Sequence, residues 1–331
     1  MKTEWVHKKL GDDDVAKIIM GQSPSSASYN DENIGLPFLQ GCADFGEVFP
    51  KTSVYCNEPL KVAPQNSILM SVRAPVGTIN KADQKYIIGR GLCSIVSLIN
   101  NDYLYYYLLQ NKNRLEQKAQ GSTFLAINSA EVNDFDVSYP ESLSTQRRIA
   151  AILTSADKVI AATQKTIAKY KQIKQGMMED LLNEQCTMNN VQWRKVKLGE
   201  CCESELGKTL DEGRNTGLYR PYLCALNVLW GKIDRSTIKR MRIEDSELER
   251  YLVKKGDLLV CEGGEIGRCA IWDYDDVIYY QNALHRVRFY DGYDARFFMY
   301  LLCHYNDLKL IEQYGKGLTI KHLNQTGFRN I

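Results

Sequence analysis

The sequence has few of the residue patterns that would reveal a metal or redox site. Its 331 residues include only four histidines, and none of its ten cysteines forms a Cys-x-x-Cys pair. Zinc sites and redox motifs need closely spaced cysteine or histidine ligands, so the sequence predicts neither. Cys201 and Cys202 are adjacent, which suits neither a zinc site nor an easy disulfide, and we expect reduced, buried thiols.

Long apolar runs and a strong net charge are also missing. No run of eighteen apolar residues occurs, so no membrane-spanning segment is predicted. The N-terminal residues lack the apolar core of a secretory signal, and we expect a cytoplasmic protein. The formal net charge is only +2, which excludes a global basic field. Any nucleic-acid binding must therefore come from local loops and clusters.

What the sequence does contain is a tandem repeat. The segment from Trp5 to Gly11 matches the segment from Trp193 to Gly199, and further matches follow in the same order along the chain. Each copy mixes short apolar runs, typical of strands, with one amphipathic helix, expected over Asp102–Lys118 and Ala295–Tyr314. The divergent middle of each copy indicates one scaffold that presents two different recognition surfaces.

A different segment separates the two copies. From Gln146 to about Leu182 there is no proline and one glycine, and apolar residues recur at helical spacing over about five heptads. This pattern predicts a long helix whose apolar stripe requires a partner, either another helix or the helix's own domains. The residues expected to pair are Ile149, Ile152, Leu153, Val159, Ile160, Ile167, Tyr170 and Ile173.

The fold class is therefore α+β, with two similar mixed α/β domains in tandem, separated by one long helix able to form a coiled coil. We expect the first domain over residues 1–143, the central helix over 144–186 and the second domain over 187–331.

Several strings resemble the specificity subunits of type I restriction–modification systems. The first domain has Gly21–Ser26, Gly35–Gly41 and Ser71–Gly77, which are similar to the target-recognition domains of that family. The segment from Gln146 to Leu153 and its continuation to Leu182 are similar to the family's central helix. Together with the repeat, the resemblance covers nearly the whole chain.

The resemblance implies a non-catalytic DNA reader. Each target-recognition domain would read one half of a bipartite site on double-stranded DNA, and paired helices would fix the spacing between the halves. The family's partners are methyltransferase (M) and endonuclease/translocase (R) subunits, and AdoMet, ATP and Mg²⁺ belong to those partners. In agreement, the chain lacks a Gly-rich AdoMet loop and a phosphate loop, so we expect no cofactor, metal or catalytic residue of its own.

One departure from the family pattern concerns the end of the chain. A strand and second long helix, the counterparts of Tyr139–Pro140 and of 144–182, do not follow the second domain. We therefore expect a domain truncated at its C-terminal end, or a helical partner supplied by another molecule through self-association or a partner subunit. The alternative to a DNA reader is a helical scaffold that binds methyltransferase subunits without reading DNA.

Candidate DNA contacts are polar residues in loops and at predicted strand ends, where side chains can reach phosphates or base edges. An ordinary surface loop or salt bridge is the competing interpretation for each, especially for Lys239–Arg242, which several acidic residues follow. In the first domain the candidates are Ser23, Ser25, Ser26, Tyr29, Asn30, Gln40, Arg73 and Arg90. In the second they are Lys208, Arg214, Lys239, Arg240, Arg242, Arg268, Gln281, Asn282, His285, Arg286, Lys316, Thr319 and Lys321.

Overall fold

Continuous apolar runs form the central strands of both domains. Ile68–Ser71 and Leu258–Cys261 are buried at every position, as strands covered on both faces must be. The fold is known from a computed structural model, which describes residues 4–119, 126–182, 193–317 and 321–331. The chain divides into two compact units, Met1–Lys165 and Thr166–Ile331.

The first unit has eleven strands and three short helices before the long helix, among the residues described. The strands are β1 Trp5–Lys9, β2 Ala16–Met20, β3 Tyr29–Asn30, β4 Leu36–Leu39, β5 Tyr55–Cys56, β6 Val62–Ala63, β7 Ile68–Ser71, β8 Ile79–Lys81, β9 Tyr86–Ile88, β10 Leu92–Ser97 and β11 Asp136–Pro140. The helices are α1 Asn101–Gln110, α2 Lys112–Lys118 and α3 Ser129–Asn133.

Two larger sheets and the two-stranded antiparallel pair β1-β11 build the described part of the first unit. One has the antiparallel order β2-β10-β7-β8, and the other has the order β3-β5-β4-β9-β6, in which β4 and β9 are parallel. The main core lies between the first sheet and α1, which buries Tyr103, Leu104 and Leu108. A second apolar cluster joins the two sheets, because Leu39 comes from β4 and Leu69 from β7. The two sheets therefore hold each other in place.

The long helix, α4, spans Leu143–Leu181. Its first turns belong to the first unit, where the buried Gln146 side chain accepts a hydrogen bond from Asn100 N and donates one to Pro140 O. At about 1.5 Å per residue, its 39 residues extend about 58 Å.

The second unit repeats the plan of the first. Its strands are β12 Cys202–Leu206, β13 Leu218–Leu223, β14 Val228–Leu229, β15 Lys232–Ile233, β16 Lys239–Ile243, β17 Leu252–Val253, β18 Leu258–Cys261, β19 Cys269–Ile271, β20 Ile278–Tyr280 and β21 Leu284–Phe289. Its helices are α5 Leu198–Cys201, α6 Leu248–Tyr251, α7 Ala295–Asp307 and α8 Gln325–Arg329.

Sheet order confirms the repeat. The sheet β12-β21-β18-β19 matches β2-β10-β7-β8 strand for strand. In the other sheet, β16-β13-β20-β17, strands β13 and β20 are parallel, as β4 and β9 are in the first unit. Two mixed α/β domains in tandem, with one long central helix, are thus confirmed.

The predicted helix boundaries need two corrections. The helix expected over Asp102–Lys118 is two helices, because the Asn111 side chain donates to Tyr107 O and its backbone leaves the helical region. The helix expected over Ala295–Tyr314 ends at Asp307, and Ile311–Tyr314 forms a separate 3₁₀ turn. Lys309 adopts a φ of +59° between them, a left-handed conformation that stops a helix.

We predict that Gln146→Ala lowers the free energy of unfolding by about 1–3 kcal/mol, because it leaves buried backbone groups of Asn100 and Pro140 without partners. Thermal and chemical unfolding measure the loss. Gln175→Ala, on the exposed part of the same helix, is the matched control and should change stability by less than about 0.5 kcal/mol. Equal stability of Q146A and wild type would contradict the packing described for this end of the helix.

A second prediction concerns pH and the core of the second unit. Burial lowers the pKa of His285, whose Nε2 lies 2.6 Å from Leu323 O and whose ring stacks on Phe328. The unfolded chain therefore binds a proton more readily than the folded one, so stability falls as pH drops through about 6.5. The melting temperature of the wild type should decline between about pH 7.5 and 6, and His285→Gln should flatten that decline. The same slope in both proteins would refute this assignment.

Candidate functional site

Three loops of the first unit meet at one edge of its sheets. The Gly21 and Gln22 amides, after β2, donate to Leu92 O and Ile88 O, each at 2.9 Å. Gly89 N, after β9, donates to Leu39 O at 2.7 Å. These backbone bonds bring together the ends of β2, β4 and β9, although the three strands are far apart in sequence.

We call the side chains at this edge the first loop cluster, which consists of Gln22, Ser23, Gln40, Arg73 and Arg90. Ser23 Oγ accepts a hydrogen bond from Arg90 N at 3.2 Å. Arg73 joins the group because its neighbour Val72 donates from its backbone N to Gly91 O at 2.9 Å. The two arginines, predicted separately from sequence, thus lie at the same edge of the unit.

Glycines allow this close approach. A Cβ on Gly89 would lie 3.1 Å from Ser23 Oγ and 3.2 Å from Gln40 Cα, and a Cβ on Gly91 would lie 2.6 Å from Gln40 O. A larger residue at either position would push the loops apart. The glycines on both sides of Arg90 therefore fit a turn that holds this arginine against the neighbouring loop.

Both arginines of the first loop cluster are exposed, and neither makes an ion pair with any residue in the described part of the chain. Burial raises the pKa of the Tyr29 hydroxyl, and the positive charge of Arg90 opposes that shift. A pair of free guanidinium groups beside glutamine and serine side chains can bind phosphate oxygens or the acceptor edge of guanine.

The other first-domain candidates shape the adjoining loop. Ser25 Oγ accepts from Ala27 N, and the Tyr29 ring stacks on Phe38 with centroids 4.7 Å apart. The Asn30 amide donates to Ile34 O at 3.0 Å. Ser26 is exposed at the tip.

The second unit has the same backbone frame. Lys208 N donates to Tyr280 O at 3.0 Å, and Gln281 N donates to Leu223 O at 2.9 Å. Glu262 N donates to Ala283 O at 2.9 Å, as Val72 N does to Gly91 O in the first unit. We call Lys208, Cys224, Gly263 and Asn282 the second loop cluster. They lie at the positions of Gln22, Gln40, Arg73 and Arg90, respectively. The same frame therefore carries different side chains.

Four predicted contacts of the second domain lie largely in the interior. Lys208 Nζ bonds both carboxylate oxygens of Glu247 at 2.6 Å. Arg286 donates to the backbone oxygens of Arg250 and Leu252, and His285 is fully buried against Leu323 O. Arg268, which is partly buried, donates to Ala225 O. These bonds hold the domain together, so we do not include the four among the proposed contacts.

An edge strand of this unit carries three exposed positive charges. Lys239, Arg240 and Arg242 on β16 are exposed, while Met241 and Ile243 of the same strand are buried. Arg242 lies over the Tyr219 ring of β13, 5.1 Å from its centroid.

The acidic residues that follow β16 bind residues other than the β16 cations. Asp245 pairs with Arg220, and Glu247 pairs with Lys208. Glu249 pairs with Lys254, and Glu244 bonds the Thr216 hydroxyl. None of the three β16 cations has an ion-pair partner among the residues described, which favours binding over a self-neutralised loop.

The remaining candidates of the second domain differ in exposure and pairing. Gln281 and Asn282 are half-buried in the turn between β20 and β21. Lys316 is exposed, Lys321 pairs with Glu312 at 2.9 Å, and Arg214 pairs with Asp211 at 3.6 Å. Thr319 lies outside the described residues.

Two residues at these edges were missed from sequence. Gln22 is exposed beside Ser23, and His322 lies on the backbone bridge to Gly263. Alignment of the two repeats puts His322 opposite Ala126, because each precedes its asparagine by two positions, but only the bridge to Gly263 shows that it lies beside the position of Arg73.

The apolar stripe of α4 forms a second candidate surface. Seven of its eight predicted residues are exposed, with Val159 at 64% and Tyr170 at 66% of their full accessible area. Ile149 instead packs partly against the first unit's core. An apolar face this long on a single helix is typical of an interaction site.

Across the described parts of the chain, no cluster of three or more histidine, cysteine, aspartate or glutamate side chains could hold a metal ion. No helix within those parts is both long and apolar enough to cross a membrane.

Comparison with known proteins identifies the family. Residues 2–173 and 190–331 match the family described as Type I restriction modification DNA specificity domain. Over 182 residues the chain is 41% identical to the putative type I restriction enzyme MjaX specificity subunit of Methanocaldococcus jannaschii, a match that covers 54% of this chain and 43% of that protein. The MjaIX specificity subunit of the same organism is 29% identical over 111 residues, 32% of this chain and 25% of its own length.

The matched part of this chain thus spans less than half of either relative. The crystal structure of the type I restriction–modification S subunit from M. genitalium shares the fold over 100% of this chain and 84% of its own length, with a TM-score of 0.66 and 16% identity. Because the family match covers both units, the chain belongs to the type I restriction–modification DNA specificity family and contains its domain in tandem.

Proposed function

We propose that this chain is the DNA sequence-specificity subunit of a type I restriction–modification enzyme, and that each domain reads one half of a bipartite DNA site. The observation that carries the proposal is the loop cluster that occurs twice on the same backbone frame with different side chains. A frame that stays constant while the side chains on it change is what two readers of unlike half-sites require.

Side chains of the first loop cluster, together with Asn282 and the β16 cations of the second domain, have the chemistry for direct contact with DNA. Arg73 and Arg90 can each donate two hydrogen bonds to guanine O6 and N7, and Gln40 can bond adenine. In the second domain, Asn282 has the adenine-reading side chain at the position of Arg90. The exposed cations of β16 suit phosphate oxygens, which fix the register of a protein on the duplex.

The partners are those that the family of this chain implies. As a non-catalytic subunit it would position M and R subunits, which would bring AdoMet, ATP and Mg²⁺. We further propose that the exposed stripe of α4 pairs with another helix, from a second copy of the chain or from a partner subunit. The paired helices would form the spacer between half-sites.

DNA selection tests the reading function. The chain in complex with its methyltransferase subunit should enrich duplexes that share two short motifs at a fixed separation, and the binding should weaken with salt. The helical-scaffold alternative predicts that the complex assembles but enriches no sequence. Assembly without sequence preference would therefore reject the reader and support the scaffold.

We predict that Arg240→Ala combined with Arg242→Ala weakens binding to all duplexes alike. The two exposed guanidinium groups would lose their phosphate contacts, so the slope of log affinity against log salt should fall by about 2. Lys255→Ala is the matched control, because this surface cation is paired with Asp275. An unchanged salt slope in the double variant would exclude β16 from the interface.

A further prediction concerns the helix. Ile160→Lys combined with Ile167→Lys places charge on the apolar stripe, and we expect the chain's self-association, or its complex with methyltransferase, to dissociate in analytical ultracentrifugation. Lys165→Ala, on the same helix, is the control and should leave the assembly intact. If the wild-type chain stays a monomer with and without methyltransferase, the stripe is not a pairing surface.

A further inference from the structure

One backbone bridge occupies the same place in both domains. In the first, Arg73 pairs with Ala126, and Ile127 N donates to Val72 O at 2.9 Å. In the second, Gly263 pairs with His322, and Leu323 N donates to Glu262 O at 2.6 Å. The helices that follow, α3 and α8, are each capped by an asparagine two residues further on. The two bridges are therefore structurally equivalent.

The polar side chain is on opposite segments of the bridge in the two domains. In the first domain it is Arg73, and its partner is a small alanine. In the second domain the position of Arg73 is a glycine, and the partner is His322. A Cβ on Gly263 would lie 3.2 Å from His322 Nδ1, so the glycine leaves room for the imidazole. His322 thus takes the place at the rim of the second loop cluster that Arg73 takes in the first.

A carboxylate fixes the orientation of the ring. His322 Nδ1 lies 3.0 Å from Glu262 Oε2, while the histidine side chain is 54% exposed and the glutamate 20%. Because an ionised carboxylate can only accept hydrogen bonds, Nδ1 carries the hydrogen. Nε2 of the neutral ring is then a hydrogen-bond acceptor, and no described residue makes a hydrogen bond to it.

We propose that His322 is a specificity-determining residue of the second domain, and that Glu262 is its positioning residue. Nε2 would accept a hydrogen bond from the exocyclic amino group of adenine or cytosine, the donors that these bases present in the major groove. The inference rests on the proposed DNA-reading function. It adds a base contact in which the protein accepts the hydrogen bond instead of donating it. Arg73 offers donors at the equivalent position, and His322 offers an acceptor.

The test is DNA selection by the complete complex with methyltransferase, as wild type and as His322→Ala. The variant should lose preference at one base pair of one half-site, by roughly tenfold, because one base contact is removed. The other half-site, read by the first domain in the same molecules, reports that the complex is folded. Arg73→Ala is the mirrored control, and it should alter only that other half-site.

Glu262→Gln separates base reading from a structural role. Glutamine can accept from Nδ1 or donate to it, so either ring nitrogen can carry the hydrogen and the selected base should become degenerate. Affinity for non-specific duplexes should stay unchanged, because no phosphate contact is lost. Gly263→Ala, which pushes the ring from its place, should affect the same base pair.

The outcomes separate the two proposals. If the wild-type complex shows no sequence preference, the reading function fails and this inference fails with it. If the wild type selects a bipartite site and H322A selects the identical site, only the role of His322 is overturned. Loss of both half-sites in H322A would likewise overturn it, since the effect would then not be local to one base pair.

Discussion

The proposed recognition surface depends on a parallel pairing only two residues long. In the first domain Phe38 and Leu39 pair with Ile87 and Ile88, and in the second Tyr222 and Leu223 pair with Tyr279 and Tyr280. Parallel strands end at the same edge of a sheet, so the residues after each strand become neighbours. One further backbone bond, from Gly89 N or Gln281 N, closes the edge. Because backbone groups make this frame, the side chains at its rim can vary without loss of the fold.

Some charged residues of the second domain pair with each other in its interior, and others are exposed on its surface. The buried carboxylate of Asp257 holds Arg288, and the half-buried carboxylate of Glu247 holds Lys208. These pairs satisfy charges that would otherwise be costly to bury. The cations of β16 remain without such partners in the part of the chain that the structure describes. A net charge close to zero is therefore compatible with a local basic surface.

Much of this architecture could be predicted from sequence, because the repeat and the heptad spacing of the long helix are long-range patterns. The loop arginines could also be predicted, since turn residues flank them. Burial of individual polar residues could not. β21 has four consecutive buried positions, so His285 and Arg286 both lie inside although they alternate in direction. His322 was missed because its role depends on a bridge between segments about sixty residues apart, which only the fold brings together.

We propose that two similar domains divide one DNA site between them, with the helix as the spacer. The most direct measurement is a map of methylated bases in the DNA of cells that carry this chain with its methyltransferase. Two domains that share one site should direct methylation to two unlike motifs separated by a fixed number of unspecified base pairs. A single uninterrupted motif, or methylation without sequence preference, would contradict it.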